Sequence, residues 1–153
     1  MLMKALFRMG IPVCGKNYFP SNIQGLPTWY EIRASGHGHL ARSGRVDIMV
    51  AMNAETYARD HACVAPGGYL IYDSTWPRSQ LFNRTDIHVI GVPLSHICNE
   101  NFAQARSRVL MTNIMYVGVL AALLDMDMQV IKGLLNAAFS PNATTVNLRC
   151  RSR

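Results

Sequence analysis

The sequence lacks the short signatures that would name a cofactor outright. It has no GxGxxG and no GxxxxGK followed by Ser or Thr, so neither a dinucleotide loop nor a P-loop can be placed on it. Its four cysteines, Cys14, Cys63, Cys98 and Cys150, contain no CxxC pair, which argues against a zinc ribbon or an iron–sulfur cluster held by this chain alone. Carboxylates are scarce, 9 against 15 Lys and Arg, and none are paired at a spacing that marks general acid–base work. The longest near-apolar run, IMYVGVLAALL at 114–124, falls short of the roughly 20 residues that cross a bilayer. There is no signal peptide with a small-residue cleavage site, and free thiols fit a reducing cytoplasm.

Half of the 153 residues are hydrophobic and 16% are charged, the composition of a folded domain with a real core. The net charge is +6, but Arg149, Arg151 and Arg153 supply three of those charges. A balance of +3 over the rest does not argue for nucleic acid. The periodicities predict a helix over 1–9 ended by Gly10, then strands in IPVCGKNYF and TWYEIRAS. Three nearly continuous apolar runs follow, at 46–52, 69–74 and 86–92, the pattern of strands buried on both faces of a parallel sheet. Asn53 reads as the N-cap of a helix over 54–64, Pro93 as part of the first turn of another, and Asp127 as the N-cap of the last, 127–139. The helix near 100–124 has hardly any polar face and should be buried, in its own domain or against a partner. The expected fold is α/β: a mostly parallel open sheet with helices on both faces and right-handed crossovers.

Candidate chemistry is thin. His37 and His39 share a face if extended but lack a third ligand nearby, so a solvated turn is the plainer reading. Ser95, His96 and Cys98 would diverge on a helix and cannot form a triad. Gly67 and Gly68 precede a strand instead of linking strand to helix, so they read as a turn and not a phosphate cradle. Asn53, Asp73 and Ser74 fall just past the C-terminal ends of predicted parallel strands, where open α/β sheets bind ligands. Capping is the competing role for all three. The stretch NYFPSNIQGLPTWYEIRAS, 17–35, sets four aromatics beside two prolines and a glycine, which points to a rigid contact loop or to an aromatic-capped turn.

Four blocks carry a resemblance: MLMKALFRMGIPVCGKNYFPSNIQGLPTWYEIR, DIMVAMNAETYARD, VAPGGYLIYDSTWP and VIGVPLSHICNE. In this order they resemble the gamma domain of 2-oxoacid:ferredoxin oxidoreductases, most of all the form fused to the alpha subunit. The resemblance implies a domain over 1–139 and an irregular, non-native tail over 140–153. It also implies that Met1 falls inside the family's first helix, so that the strand and glycine-rich loop ahead of it are missing and the sheet is truncated at its first strand. Enzymes of this kind oxidatively decarboxylate a 2-oxoacid to an acyl-CoA with thiamine diphosphate, an iron–sulfur cluster and coenzyme A. The resemblance implies that none of these is held by catalytic groups of this chain, and that an isolated copy is inactive. The implied partners are the rest of the alpha subunit, the beta subunit and ferredoxin, in the cytoplasm, with no nucleic acid and no membrane. Family position puts FPSNIQGLPTWYEIR beside the subunit interface. Ser21, Asn22, Gln24 and Asn53 are then the expected contacts with coenzyme A or with the interface. Two other classes remain open on the residues alone: a stand-alone nucleotide-binding α/β module, and a purely structural domain that docks through the helix near 100–124.

Overall fold

The computed structural model describes residues 1–19, 27–39, 41, 44–79 and 83–139. Its elements in chain order are α1 (Leu2–Arg8), β1 (Val13–Tyr18), β2 (Trp29–Ala34), β3 (Val46–Ala51), a 3-10 turn (Ala54–Thr56), α2 (Tyr57–Cys63), β4 (Val64–Asp73), β5 (His88–Val92), α3 (Leu94–Asn101), α4 (Ala105–Leu123) and α5 (Met128–Phe139). Three of the expected strands form one sheet in the order β3-β4-β5. Both pairings are parallel, with Met49 opposite Leu70 and Leu70 opposite Val89. β1 and β2 stand apart as a two-stranded sheet.

The register explains the composition of the runs. Met49, Leu70 and Val89 share one face, joined by Ala51 and Tyr72; together with Tyr57, Val64 and Ile87 they make the core. Ile71 points to the other face and is as fully buried as Leu70, so the central strand needs apolar residues on both faces there. Tyr72 lies over Gly91 of β5, where a Cβ would come within 3.1 Å of its ring. The edge strands β3 and β5 are only half-buried, unlike the expectation drawn from their apolar runs.

β4 also begins earlier than the sequence predicts. Between Val46↔Val64 and Ile48↔Tyr69 the register jumps, so a short excursion through Pro66, Gly67 and Gly68 sits inside the strand as a bulge. Gly67 adopts φ +77°, which a glycine tolerates without the penalty of a Cβ. The paired glycines are therefore a bulge within a strand, not a turn ahead of one.

Helix ends follow local chemistry. Gly10, with φ +78°, closes α1 as its Ile11 neighbour donates to Leu6 O. Asp125, with φ 48°, plays the same part after α4: Met126 N–H donates to Ala121 O at 2.8 Å and Asp125 N–H to Ala122 O at 3.3 Å. Asp127 caps α5, accepting from Gln129 N–H at 2.8 Å. α4 starts later than expected, at Ala105, and leaves Val109 and Leu110 exposed.

The chain folds into two compact units. One comprises 1–16, 32–40 and 120–153; the other comprises 17–31 and 41–119. In the first, α1 packs against α5, with Ala5, Leu6, Ile131 and Leu134 buried. The second holds the parallel sheet. No helix among the described residues is long and apolar enough to cross a membrane.

Candidate functional site

The C-terminal ends of β3, β4 and β5 bring Asn53, Asp73 and Ser95 to one rim of the sheet, where ligands bind in folds of this kind. Asp73 is its hub. Only 8% exposed, its Oδ1 accepts from Thr75 N–H at 3.0 Å and from the Thr75 hydroxyl at 2.6 Å. Its Oδ2 accepts from Ser95 N–H at 3.0 Å, the first turn of α3. The Thr75 hydroxyl in turn accepts from His96 N–H at 3.0 Å. One carboxylate and one hydroxyl thus satisfy two of the orphan amides of α3 and fold the strand end into an Asx turn. Burial pushes the Asp73 carboxyl up, but hydrogen bonding from Ser95 and Thr75 outweighs it and holds the group below its ordinary value. An ionised carboxylate with its acceptors taken is a latch, not a general base.

Two tyrosines stand near that carboxylate. Tyr57, buried at the start of α2, meets Tyr72 edge-on with centroids 6.5 Å apart. The Arg78 guanidinium lies 4.7 Å from the Tyr57 ring centroid, a cation–π contact. Burial raises the Tyr57 hydroxyl's pKa, and the Arg78 charge only partly offsets it. Burial also raises that of Tyr116 on α4, with Tyr57 and Asp73 adding to the effect. Tyr57, Thr75, Arg78 and Tyr116 were not singled out from the sequence. The Asp-x-Thr spacing at 73–75 was the signal for Thr75; the others are brought in by the fold alone.

Asn53 does cap, accepting from Glu55 N–H at 3.0 Å through Oδ1. The cap belongs to the 3-10 turn that leads into α2. Its carboxamide N–H groups make no hydrogen bond among the described residues, and the side chain is exposed. Met52 and Trp76, 53% and 59% exposed, flank the same rim. Ser21, Asn22 and Gln24 lie outside the described residues, as do Pro20 and Gly25.

The aromatic stretch divides at β2. Trp29 Nε1 donates to Asp60 Oδ1 at 3.2 Å, and the Arg59 guanidinium lies 4.2 Å from the Trp29 ring centroid. Asp60, buried, is also bonded by the Thr56 hydroxyl at 2.8 Å. Trp29 is therefore committed to α2 within its own unit. Tyr30, on the opposite side of the strand, is 52% exposed.

Other sequence candidates separate. Cys98 is buried with its thiol 3.4 Å from Met115 Sδ, while His96 Nε2 faces Glu100 at 3.4 Å on the surface, so Ser95, His96 and Cys98 do not converge. His37 and His39 have ring centroids 5.9 Å apart on an exposed turn. No group of three or more His, Cys, Asp or Glu among the described residues is placed to hold a metal. At the opposite end of the sheet Arg84 pairs with Asp86 and donates to His61 O at 2.8 Å and Val64 O at 3.0 Å. That guanidinium closes the C-terminus of α2 and fixes the start of β4.

Comparison with known proteins places this architecture. The chain is 32% identical over 71 residues to the alpha subunit of 2-oxoacid:ferredoxin oxidoreductase 2 from Aeropyrum pernix, a stretch that covers 46% of this chain and 11% of that subunit. It superposes on a 2-oxoglutarate:ferredoxin oxidoreductase from Magnetococcus marinus, solved with 2-oxoglutarate, coenzyme A and succinyl-CoA bound, with a TM-score of 0.72 and 24% identity. That match covers 90% of this chain and 24% of the other. The gamma subunit of a keto/oxoacid ferredoxin oxidoreductase from Geobacter sulfurreducens matches with a TM-score of 0.64 at 16% identity, over 94% of this chain and 77% of its own. Pyruvate oxidoreductase subunit PORC from Thermotoga maritima gives 0.65 at 14%, over 92% and 76%. The chain thus spans about a tenth of the curated relative and about a quarter of the Magnetococcus protein. The solved structures show a shared fold, and the profile described as pyruvate ferredoxin/flavodoxin oxidoreductase matches residues 1–152: the chain belongs to that family.

Proposed function

We propose that this chain is the gamma-domain component of a 2-oxoacid:ferredoxin oxidoreductase, an enzyme that oxidatively decarboxylates a 2-oxoacid to an acyl-CoA. It contributes a subunit interface and a wall of the coenzyme A approach, while thiamine diphosphate and the iron–sulfur cluster are held by the alpha and beta partners. Its setting is the cytoplasm, and alone it turns nothing over. The observation that carries the reading is the family match over 1–152 combined with a rim whose carboxylate is spent on holding α3. A domain whose rim carboxylate is used internally is built to present a surface, not to run a reaction.

Co-expression with a thiamine-binding beta subunit tests the reading directly. Co-purification of the two is expected, and Tyr30→Ala, which removes a 52% exposed aromatic, should weaken it. Separate elution of the wild-type chain would defeat the assignment.

For coenzyme A, the contact set is Ser21, Asn22, Gln24 and Asn53, and Asn53 offers the sharpest probe. Asp caps a helix about as well as Asn, so Asn53→Asp keeps the acceptor for Glu55 N–H. It removes the two N–H donors and adds a negative charge where the ligand's phosphates would approach. Affinity for coenzyme A, measured by calorimetry on the assembled complex, should fall about tenfold, the effect of roughly 1.4 kcal/mol. Stability should stay within about 0.5 kcal/mol. Unchanged affinity removes Asn53 from the site.

A further inference from the structure

The His-Gly-His turn at 37–39 is used by neither the parallel sheet nor its rim. Both imidazoles are exposed, with ring centroids 5.9 Å apart. The backbone that carries them is tied at several points. Ser35 N–H donates to Pro12 O at 3.1 Å, and Gly38 N–H donates to Ser35 O at 3.1 Å. His39 N–H donates to Ser35 Oγ at 3.3 Å, and Arg33 Nε donates to His39 O at 3.2 Å. Gly38, at φ +72°, makes the bend between the two histidines, a conformation that a glycine adopts without a Cβ penalty. All of these residues belong to the same compact unit. The other three histidines stand elsewhere: His61 on α2, His88 on β5 and His96 on α3.

We propose that His37 and His39 form a two-point chelate for a borderline divalent transition metal of the zinc, nickel or copper class, completed by water. A metal–imidazole bond is about 2.0–2.1 Å long, so two rings on one ion have centroids up to about 6 Å apart. The 5.9 Å separation lies within that reach, and exposed rings turn about their side-chain torsions without displacing a neighbour. The donors choose the metal. Imidazole nitrogen suits zinc, nickel and copper, whereas calcium and magnesium need several oxygens. No group of three or more His, Cys, Asp or Glu among the described residues is placed to hold a metal, so the remaining positions fall to water. The Arg33 guanidinium, held at His39 O, opposes a bare cation. Affinity therefore comes from nitrogen coordination and not from a local negative field. An ion held by two side chains keeps open positions, as water-bearing zinc sites do, and it exchanges readily.

The test is calorimetric titration of the untagged full chain with Ni²⁺ and, separately, Zn²⁺ and Mg²⁺. One nickel ion per chain is expected, and no magnesium. His37→Ala and His39→Ala should each weaken nickel binding about a hundredfold, because the second imidazole acts at high local concentration once the first is bound. His37→Gln, which keeps a polar side chain on the turn, should lose as much as His37→Ala and so separates loss of a ligand from a disturbed backbone. His88→Ala should stay within about twofold. So should His96→Ala, although His96 lies 3.4 Å from Glu100 and is the rival two-ligand pair. Cys14→Ser/Cys63→Ser removes the two exposed thiols, softer ligands than imidazole, and should also stay within about twofold. In that thiol-free variant copper should bind more tightly than nickel or zinc. No nickel binding by the wild-type chain overturns the inference, as does wild-type affinity in His37→Ala or His39→Ala. An equal loss from His96→Ala or from the double cysteine variant also overturns it, since the metal then sits elsewhere.

Discussion

Asp73→Asn should destabilise the chain by about 3 kcal/mol, although it changes one atom and no volume. Both Asp73 oxygens face donors: the Thr75 amide and hydroxyl on one side, Ser95 N–H on the other. An asparagine has one acceptor, so its NH2 must face donors on one side and leave a buried N–H without a partner. A charge-assisted hydrogen bond contributes about 1.5–3 kcal/mol, and an unsatisfied buried donor costs about as much. Urea denaturation at neutral pH measures the loss. Thr75→Val should show part of it and Thr75→Ser very little, since only the hydroxyl links Asp73 to His96 N–H.

The same carboxylate predicts an acid dependence. Its folded pKa lies below the ordinary 3.8, so its contribution is fully present above the unfolded value and is lost as pH falls through about 4 toward the folded value. Asp73→Asn should therefore flatten the acid limb of the stability curve as well as lower the plateau. A variant with wild-type stability at both pH 7 and pH 3 would show that Asp73 holds nothing.

Gly68→Ala should cost several kcal/mol, with overpacking alone worth about 1–3. A Cβ at Gly68 would lie 2.8 Å from Ala65 O, 2.8 Å from Asp47 O and 2.9 Å from Val64 Cγ1. Two of these atoms are backbone, one on each of the paired strands, so relief requires β3 and β4 to separate at the bulge. Gly67→Ala is the control. Nothing lies within 4 Å of its Cβ position, and its φ of +77° costs a substituted residue only about 1–2 kcal/mol. Thermal melts should rank wild type, Gly67→Ala, Gly68→Ala in falling order. The reverse order would mean that the bulge yields and that left-handed strain governs the site.

These two glycines mark where sequence reading stops. A Pro-Gly-Gly run signals a break in regular backbone, and the bulge is one. That it lies inside a strand follows from Val64 pairing with Val46, a partner eighteen residues away that no local pattern encodes. Asp73 is similar. Its position after an apolar run placed it on the rim, but its three donors come from Thr75 nearby and from Ser95 beyond another strand. Trp29 shows the limit most plainly. Alternation placed it opposite Tyr30, but only the approach of α2, with Asp60 and Arg59, decided that Trp29 is spent internally.

By itself the amino-acid order determined the element types, the three parallel runs, the glycine and Asx caps of the helices and the family blocks. Each of these depends on residues within a turn or two of one another, or on a period of two or 3.6. Tertiary structure alone decided the separate β1–β2 sheet, the half-exposed edges of β3 and β5, and the Tyr57–Arg78–Asp73–Tyr116 surroundings of the rim. Those features arise from contacts across large sequence separations, whose free energies are settled by packing and not by any local propensity.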